Sequence, residues 1–470
     1  MELFMYKKSK KGLNIGVKSF ITALIVIFVL MVVTYTLTLI IPGGTYERVP
    51  DENGNLIIDT NSEFTPAEGG IPFWKWLLSP ILVLGAEGNG ALIAVIAFLL
   101  VIGGIFNSLD RCGLIEYMLG KLTNRFGGAR YKLMAVIILF FMALGSAIGS
   151  FEECVPLVPI VVALALHLGW DRITGVAMSL LAVGCGFAAG VCNPFTVGVA
   201  QQIAGLPMFS GAWLRLFAFA LIYALLLGFV MLYAKKIERP VESFDAEEFK
   251  ADPRMDRGLI CFVSILGAGI VTILCSGFIP AIQDYTMIIV AVTFLIGGIV
   301  ATLVCGMTGR ELGKYSLDGI VSIFPAVIMI LMASSIKFTM EEANILDTML
   351  HGVIGVANTL PRWSLILFIY LVMLIAEFFI PSGSAKAFML MPIILPIANI
   401  FDISAQLCIV AFAFGDGFSN VFYPTNPALL ISLGLAETSY TKWFRWSWKF
   451  QALNLLLTSG ILLFGLAVGY

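Results

Sequence analysis

Charged residues are scarce in this sequence of 470 residues. Asp, Glu, Lys and Arg together make up 12% of it, whereas soluble proteins average about 25%. Hydrophobic residues make up 59%, which is more than the core of a soluble domain needs. The scarcity of charge therefore excludes a soluble enzyme or binding domain and predicts an all-α membrane protein with several spans. The formal net charge is −2, and no nucleic-acid partner is expected.

Histidine is almost missing, and cysteine is present without a metal-binding pattern. The two histidines, His167 and His351, are too far apart in the chain for a His-rich metal site. The eight cysteines include no Cys-x-x-Cys pair, and most of them lie in apolar runs. We expect these cysteines to pack as small hydrophobic residues. The sequence thus predicts no cofactor and no resident metal.

Positive charge is unevenly placed around the first long apolar run, Phe20 to Ile41. Five lysines precede this run, and no cleavage site of small residues follows it. The run has 22 residues, which is longer than the core of a signal peptide, so we expect a retained span. Because lysine and arginine favour the cytoplasmic side, residues 1–19 are predicted to be a cytoplasmic N-terminus, and the loop 42–72 is predicted to lie outside.

Polar residues interrupt the apolar chain at residues 381–392, which read PSGSAKAFMLMP. Lipid offers no water to non-helical backbone, which survives there only where protein buries it or a wet cavity lines it. The apolar run 385–400 would form a helix of about 24 Å, short of the roughly 30 Å hydrocarbon core. We therefore predict that Ser382, Gly383 and Ser384 form the tip of a re-entrant hairpin. Two ordinary spans joined by an exposed turn are the alternative.

Four features recur in the same order in the two halves of the chain. GLIEYMLGKL (113–122) resembles NILDTMLHGV (344–353), and a polar stretch follows each about 30 residues after its start. The stretches are GSAIGSFEECVPLVP (145–159) and PSGSAKAFMLMPIILP (381–396). An aspartate and an apolar run with an Asn-Pro pair then follow in both halves. The order predicts an internal repeat.

Counting spans places the start of the first repeat inside and the start of the second outside. Equivalent elements are therefore predicted to be inverted, as in many secondary transporters. The predicted organisation is a first repeat at 20–234 (hairpin about 133–167, broken helix 173–206), a cytoplasmic linker and reversing helix at 235–285, and a second repeat at 286–470 (hairpin about 363–400, broken helix 405–436).

Proline breaks the predicted helices at Asn193-Pro194 and at Thr425-Asn426-Pro427. Proline lacks an N–H and frees the carbonyl four residues before it. The N-terminal ends of half-helices attract anionic groups, and their carbonyl ends suit cations. The breaks therefore predict binding positions, and kinked structural helices are the alternative.

Five charged residues lie in or beside apolar segments: Glu152, Glu153, Glu377, Lys386 and Asp416. Each would cost about 2.5–3.5 kcal/mol at the bilayer centre, so these groups must face a cavity, form pairs or titrate. Glu152 and Glu153 would point roughly 100° apart on a helix, and we expect only one to face a substrate. The other is expected to pair with Lys386, bind a coupling cation or carry a proton. A purely structural Glu–Lys pair is the alternative.

Four segments carry a resemblance to a known family. They are GSFEECVPLVPIVVALALHLGWD, NPFTVGVAQQIAGLPMFSGAWLR, SGSAKAFMLMPIILPI and AFAFGDGFSNVFYPTNPALLISLGL. They resemble the C4-dicarboxylate anaerobic carrier-like family, YfcC branch, of the ion-transporter superfamily. The resemblance implies a bacterial plasma-membrane homodimer in which a mobile domain moves like an elevator against a fixed scaffold. It also implies a substrate and ion site that includes Ser146, Gly149, Ser150, Glu152, Glu153, Asn193, Pro194, Ser382, Gly383, Ser384, Lys386, Asp416, Asn420, Thr425 and Asn426.

The resemblance leaves the solute and the coupling ion open. The family name points to dicarboxylates, and members of the branch are also described as basic amino acid or arginine/ornithine exchangers. One lysine set against several carboxylates suits an amino acid better than a dianion, so a secondary transporter of amino acids, coupled to Na⁺ or H⁺, is the first hypothesis. The remote alternatives are a passive channel and an intramembrane hydrolase that uses Ser382 or Ser384 with Lys386.

Overall fold

Helices dominate the described part of the chain, which confirms the predicted helical class. The computed structural model describes residues 17–50, 56–58, 63–86, 90–118, 121, 129–149, 151–207, 209–239, 252–276, 286–357 and 359–470. The α-helices, in chain order, are α1 Val17–Ile40, α2 Phe73–Leu82, α3 Gly90–Arg111, α4 Arg130–Ile148, α5 Val158–His167, α6 Arg172–Val176, α7 Ala182–Ala189, α8 Val199–Ile203, α9 Ala212–Ile237, α10 Pro253–Ser276, α11 Thr286–Val304, α12 Gly309–Glu342, α13 Leu346–Ala357, α14 Arg362–Phe379, α15 Gly383–Ile400, α16 Ala405–Asn420, α17 Pro427–Leu435 and α18 Tyr440–Ala467.

Short elements of other geometry connect some of these helices. The strands are β1 Gly44–Thr45, β2 Arg48–Pro50, β3 Leu56–Ile58 and β4 Thr65–Pro66. They form two antiparallel pairs in the loop after α1, where β1 pairs with β4 and β2 pairs with β3. The 3₁₀ turns are Val83–Gly85 and Glu152–Leu157, and the π-helical turns are Ala177–Leu181 and Pro194–Gly198.

The long helices have the length and composition of membrane spans. Within the described residues, six helices are long and apolar enough to cross a membrane, or seven if the bent pair in α12 is one span. Large apolar side chains such as Ile25, Leu232 and Leu456 are exposed on α1, α9 and α18, a surface that suits lipid rather than water. The chain is therefore an integral membrane protein, as the scarcity of charge predicts.

Each half of the chain contains a helical hairpin whose base is closed by an arginine. The first hairpin consists of α4, the 3₁₀ turn Glu152–Leu157 and α5; the second consists of α14 and α15. Arg130 Nη1 donates to the carbonyl of Leu168 at 3.2 Å, and Arg362 Nη2 donates to the carbonyl of Asp402 at 2.5 Å. Each arginine thus joins the start of the first limb to the end of the second.

Two broken helices pack side by side in opposite directions. The first runs from α6 through α7 to α8, and the second runs from α16 to α17. Arg172 pairs with Glu437 at 2.7 Å at one end, and Gln201 Nε2 donates to Gln406 Oε1 at 3.1 Å at the other. Every residue of α7 is buried, as is α16 from Leu407 onward. A helix that is apolar on all sides belongs in the interior, and this pair forms the centre of the fold.

Candidate functional site

Helix α15 begins at the tip of the second hairpin, and this tip lies close to both broken helices. Ser382 is the N-cap of α15, and its Oγ accepts the backbone N–H of Ala385 at 3.5 Å. A Cβ added to Gly383 would lie 2.9 Å from Thr196 Cγ2 and 3.0 Å from Asp416 Oδ2. Glycine therefore allows the backbone of the tip to approach a residue of each broken helix. Ser384, half-buried, follows in the first turn of α15.

Three charged side chains meet directly behind this tip. Lys386 Nζ donates to Glu377 Oε2 and, at 2.5 Å, to Asp416 Oδ1. The exposed fractions of these side chains are 0% for Lys386, 1% for Glu377 and 0% for Asp416. The ammonium also lies 5.8 Å from the centre of the Phe412 ring. We call Lys386, Glu377 and Asp416 the charge cluster, and it links both limbs of the second hairpin to the second broken helix.

Several buried polar atoms near the cluster and the helix breaks have no hydrogen-bond partner among the described residues. The cluster contributes Glu377 Oε1 and Asp416 Oδ2, and the breaks contribute Asn193 Nδ2, Thr196 Oγ1 and Thr425 Oγ1. A buried polar atom without a partner typically costs about 1–3 kcal/mol. Each such group in a native protein calls for an explanation, and a bound water, ion or ligand that supplies the missing partner is one.

The tip of the first hairpin is tied to the first helix break. Gly149 has φ +74°, and a Cβ there would lie 2.3 Å from Asn193 Oδ1, so the left-handed turn at this contact requires glycine. Ser146 Oγ accepts the N–H of Val191 at 3.0 Å. Glu152 is half-buried at the start of the 3₁₀ turn. Glu153 follows it in that turn, whereas Ser150 lies outside the described residues.

Asparagine caps the second half of each broken helix. Asn193 Oδ1 accepts the N–H groups of Phe195 at 3.0 Å and Thr196 at 3.3 Å, just where Pro194 begins the π-helical turn. Asn426 Oδ1 accepts the N–H of Leu429 at 3.2 Å, and its Nδ2 donates to Asn420 Oδ1 at 2.6 Å. Both helix starts present the positive end of the helix dipole.

Sequence reasoning missed two residues that hold the chain at the breaks. Arg215 on α9 is fully buried and donates to the carbonyls of Val191 at 3.3 Å and Ser210 at 3.0 Å. In the second half, Trp443 Nε1 on α18 donates to the carbonyl of Val421 at 2.8 Å. An arginine three residues into an apolar helix is the only sequence signal for the first of these. Glu377, recognised as a misplaced charge but left out of the predicted site, is also part of the cluster.

Two helical hairpins, two broken helices and a buried charge cluster in an apolar chain are typical of a membrane carrier. Comparison with protein families gives the same class. Residues 20–467 match the family model described as "C4-dicarboxylate anaerobic carrier" (DcuC). The chain belongs to this family, and it is a transporter rather than an enzyme.

The individual proteins that resemble this chain share less than a third of its residues. A protein of Escherichia coli (strain K12) named "Putative basic amino acid antiporter YfcC" is 28% identical over 405 residues, covering 81% of this chain and 79% of that protein. An "Uncharacterized protein" of Haemophilus influenzae is 23% identical over 504 aligned positions, covering 97% of both. Among solved structures, the Alcanivorax borkumensis YdaH transporter (17% identity, 96% and 99% coverage, TM-score 0.45) and Neisseria gonorrhoeae MtrF, titled as illuminating "a Class of Antimetabolite Efflux Pumps" (16%, 94% and 94%, 0.46), are similar.

Proposed function

We propose that the chain is a secondary active transporter of small carboxylate-bearing solutes and that amino acids such as arginine and ornithine are its substrates. The pairing of Lys386 carries the proposal. Because its ammonium is engaged by Glu377 and Asp416, it is not free to bind the second carboxylate of a dianion. The carboxylate of the substrate would then bind at the capped helix starts. The ammonium group of the substrate would bind to the acidic groups, which outnumber the single lysine. The name of the Escherichia coli relative agrees with this class of solute.

We further propose that the two repeats are inverted and that their hairpins are re-entrant. The antiparallel broken helices and the arginine-closed hairpin bases support this arrangement. The protein would work as a homodimer by an elevator movement in the bacterial plasma membrane, with its N-terminus in the cytoplasm. The site would consist of the predicted residues at the two tips and two breaks, with Glu377 and Thr196 added.

C4-dicarboxylates are the second candidate substrates. The family name supports them, and the two capped half-helix starts at Asn193 and Asn426 offer two positive ends for two carboxylates. An intramembrane hydrolase is excluded by the family assignment. Lys386 is also unsuited to act as a general base because two carboxylates hold its ammonium.

The proposal can be tested by counterflow in proteoliposomes. The vesicles contain unlabelled arginine, ornithine or succinate, and the uptake of the same radiolabelled solute is measured. We expect saturable arginine and ornithine counterflow, and we expect Asp416→Asn to reduce it at least about tenfold, a loss of roughly 1.4 kcal/mol. Glu47→Gln, which changes an exposed carboxylate in the loop after α1, is the matched control and should transport normally. Succinate counterflow that neither amino acid inhibits would instead establish the dicarboxylate function.

A further inference from the structure

The charge cluster is not electrically balanced. Lys386 contributes one positive charge, whereas Glu377 and Asp416 together contribute two negative charges when ionised. Among the described residues, neither carboxylate has another cationic partner. A net negative charge with almost no exposure to solvent is very costly. When no substrate ammonium group is bound, one further positive charge must therefore be present at the cluster, either a proton on a carboxylate or a bound metal cation.

The lysine already occupies the space where a metal cation would bind. Its Nζ lies between one oxygen of Glu377 and one oxygen of Asp416, at 2.5 Å from the latter. The oxygens that remain are Glu377 Oε1 and Asp416 Oδ2, both buried and without a hydrogen-bond partner. A metal ion on these atoms would share both carboxylates with an ammonium, and the two positive charges would repel at short range. A proton adds the same charge as a covalent O–H and avoids this repulsion.

From this geometry we infer that Lys386 is a built-in cation in the charge cluster, and that the exchangeable charge on Glu377 and Asp416 is a proton rather than Na⁺. The inference rests on the proposed transport function and assigns its coupling ion. In each transport cycle, one carboxylate of the pair takes a proton from one side of the membrane and releases it to the other.

Proton occupancy also controls how firmly the hairpin is held. Glu377 and Lys386 lie on the two limbs of the second hairpin, and Asp416 lies on the second broken helix. A proton on Asp416 removes the charge that attracts Lys386 across this interface, whereas a proton on Glu377 weakens the link between the limbs. Among the described side chains, the other titratable groups that interact electrostatically with the cluster are Tyr423, which interacts with Glu377 and Lys386, and Glu152, which interacts with Asp416.

A test that needs no substrate is the effect of Na⁺ on thermal unfolding of the purified full-length protein. Choline chloride at equal concentration serves as the reference. We expect the wild-type unfolding temperature to be the same in both salts. In Lys386→Met, the ammonium is gone and two carboxylates remain, so Na⁺ should raise the unfolding temperature by several degrees over choline. Lys337→Met, which removes a half-exposed lysine paired with Glu341 at 3.1 Å, is the matched control and should show no difference.

Driven transport provides the second test, and it does not require Lys386→Met to fold. Wild-type proteoliposomes receive a pH gradient or a Na⁺ gradient, with the membrane potential clamped, and the solute that shows counterflow is followed. For one proton per solute, each pH unit supports an accumulation of about tenfold, and replacing Na⁺ with choline should change nothing. One result would overturn the inference and leave the transport function intact: the protein shows counterflow, a Na⁺ gradient drives accumulation of the solute, and a pH gradient does not.

The remaining outcomes are also decisive. Absence of counterflow for arginine, ornithine and succinate would reject the proposed substrates, and the inference would then depend on the unfolding measurement. Stabilisation of the wild-type protein by Na⁺ over choline would overturn the inference whether or not transport is seen. Glu377→Gln and Asp416→Asn should each reduce proton-driven accumulation towards unity and by a larger factor than they reduce counterflow, because the titrating pair is broken.

Discussion

Space at the tip of the second hairpin is so limited that a single carbon atom matters. Gly383 begins α15 between Thr196 of the first broken helix and Asp416 of the second. The backbone there holds Lys386 one turn further along α15, within reach of both carboxylates. The geometry of the charge cluster therefore depends on the smallest residue beside it.

Gly383→Ala should reduce the transport rate about tenfold, equivalent to about 1.4 kcal/mol. The added Cβ would lie 2.9 Å from Thr196 Cγ2, and the tip must move to relieve this overlap. Gly352→Ala on α13 is the control, because no atom lies within 4 Å of its added Cβ. Initial rates of counterflow in proteoliposomes measure the effect. Equal rates for both variants would contradict the close approach described at the tip.

Arg215→Met should destabilise the protein without removing any residue of the charge cluster. The substitution leaves the half-buried carbonyls of Val191 and Ser210 without the guanidinium donor. Ser210 keeps Gln201 Nε2 as a donor at 2.9 Å, so the main cost, about 1–3 kcal/mol at most, falls on the carbonyl of Val191. A lower apparent unfolding temperature is the expected result. Arg310→Gln, at an exposed position near the start of α12, should behave like the wild type. An unchanged unfolding temperature in Arg215→Met would show that the first break does not need this residue.

Among the secondary elements, the loop after α1 and the helix α13 form an unexpected unit. Asp347 on α13 accepts the N–H of Tyr46 at 3.0 Å and a hydrogen bond from Arg48 at 2.9 Å. The Tyr46 hydroxyl shares a hydrogen bond with His351 Nδ1 at 2.8 Å, and Phe64 stacks on the His351 ring at 4.3 Å. The loop is thus fastened to the helix that precedes the second hairpin.

Asp347→Ala should release this loop. Asp347 is almost fully buried and receives two hydrogen bonds, one from a backbone N–H and one from a cation, so its loss removes both links at once. We expect trypsin to cleave after Arg48 at least about tenfold faster. This corresponds to a loss of roughly 1.4 kcal/mol from the free energy that holds the loop closed, which raises the open fraction tenfold. Glu63→Gln, at an exposed position of the same loop away from the cleaved bond, should not change the cleavage rate. Cleavage as slow as in the wild type would mean that Asp347 does not hold the loop.

The breaks in the helices are the elements that sequence reasoning locates best. Proline, glycine, serine and asparagine inside an apolar run have a local meaning, because they cap or interrupt helices wherever they occur. Ser382 begins α15 and Asn426 begins α17 for this reason. Contacts between distant segments have no such local signal. The partners of Lys386, the hydrogen bonds of Arg215 and the link from Asp347 to Tyr46 all depend on how helices pack, which one sequence does not encode in its periodicity.

At the scale of the whole molecule, the apolar composition is enough to predict a helical membrane protein. Orientation in the membrane is harder, because it rests on counting spans and on the position of lysines and arginines. If the repeats are inverted, the hairpin base at Arg130 and the hairpin base at Arg362 lie on opposite faces. The antiparallel packing of the two broken helices favours this arrangement.

Accessibility of single cysteines in intact cells can decide the orientation. In a variant without the eight native cysteines, Arg239→Cys, near the first hairpin base, should react with a membrane-impermeant maleimide only after the cells are opened. Thr359→Cys, near the second hairpin base, should react from outside. Both positions are exposed, so a lack of access in the protein does not limit labelling. Labelling of both cysteines from the same side would rule out inverted repeats.

The two broken helices are fastened to each other at both ends, through Arg172 with Glu437 and through Gln201 with Gln406. The central helices of the two, α7 and α16 from Leu407 onward, are buried. Sliding one against the other would separate a salt bridge and an amide pair at opposite ends in a single step. We therefore expect the pair to move as one rigid body in the proposed transport cycle. The solute would then keep the same binding contacts on both sides of the membrane, while the pair moves relative to the surrounding helices.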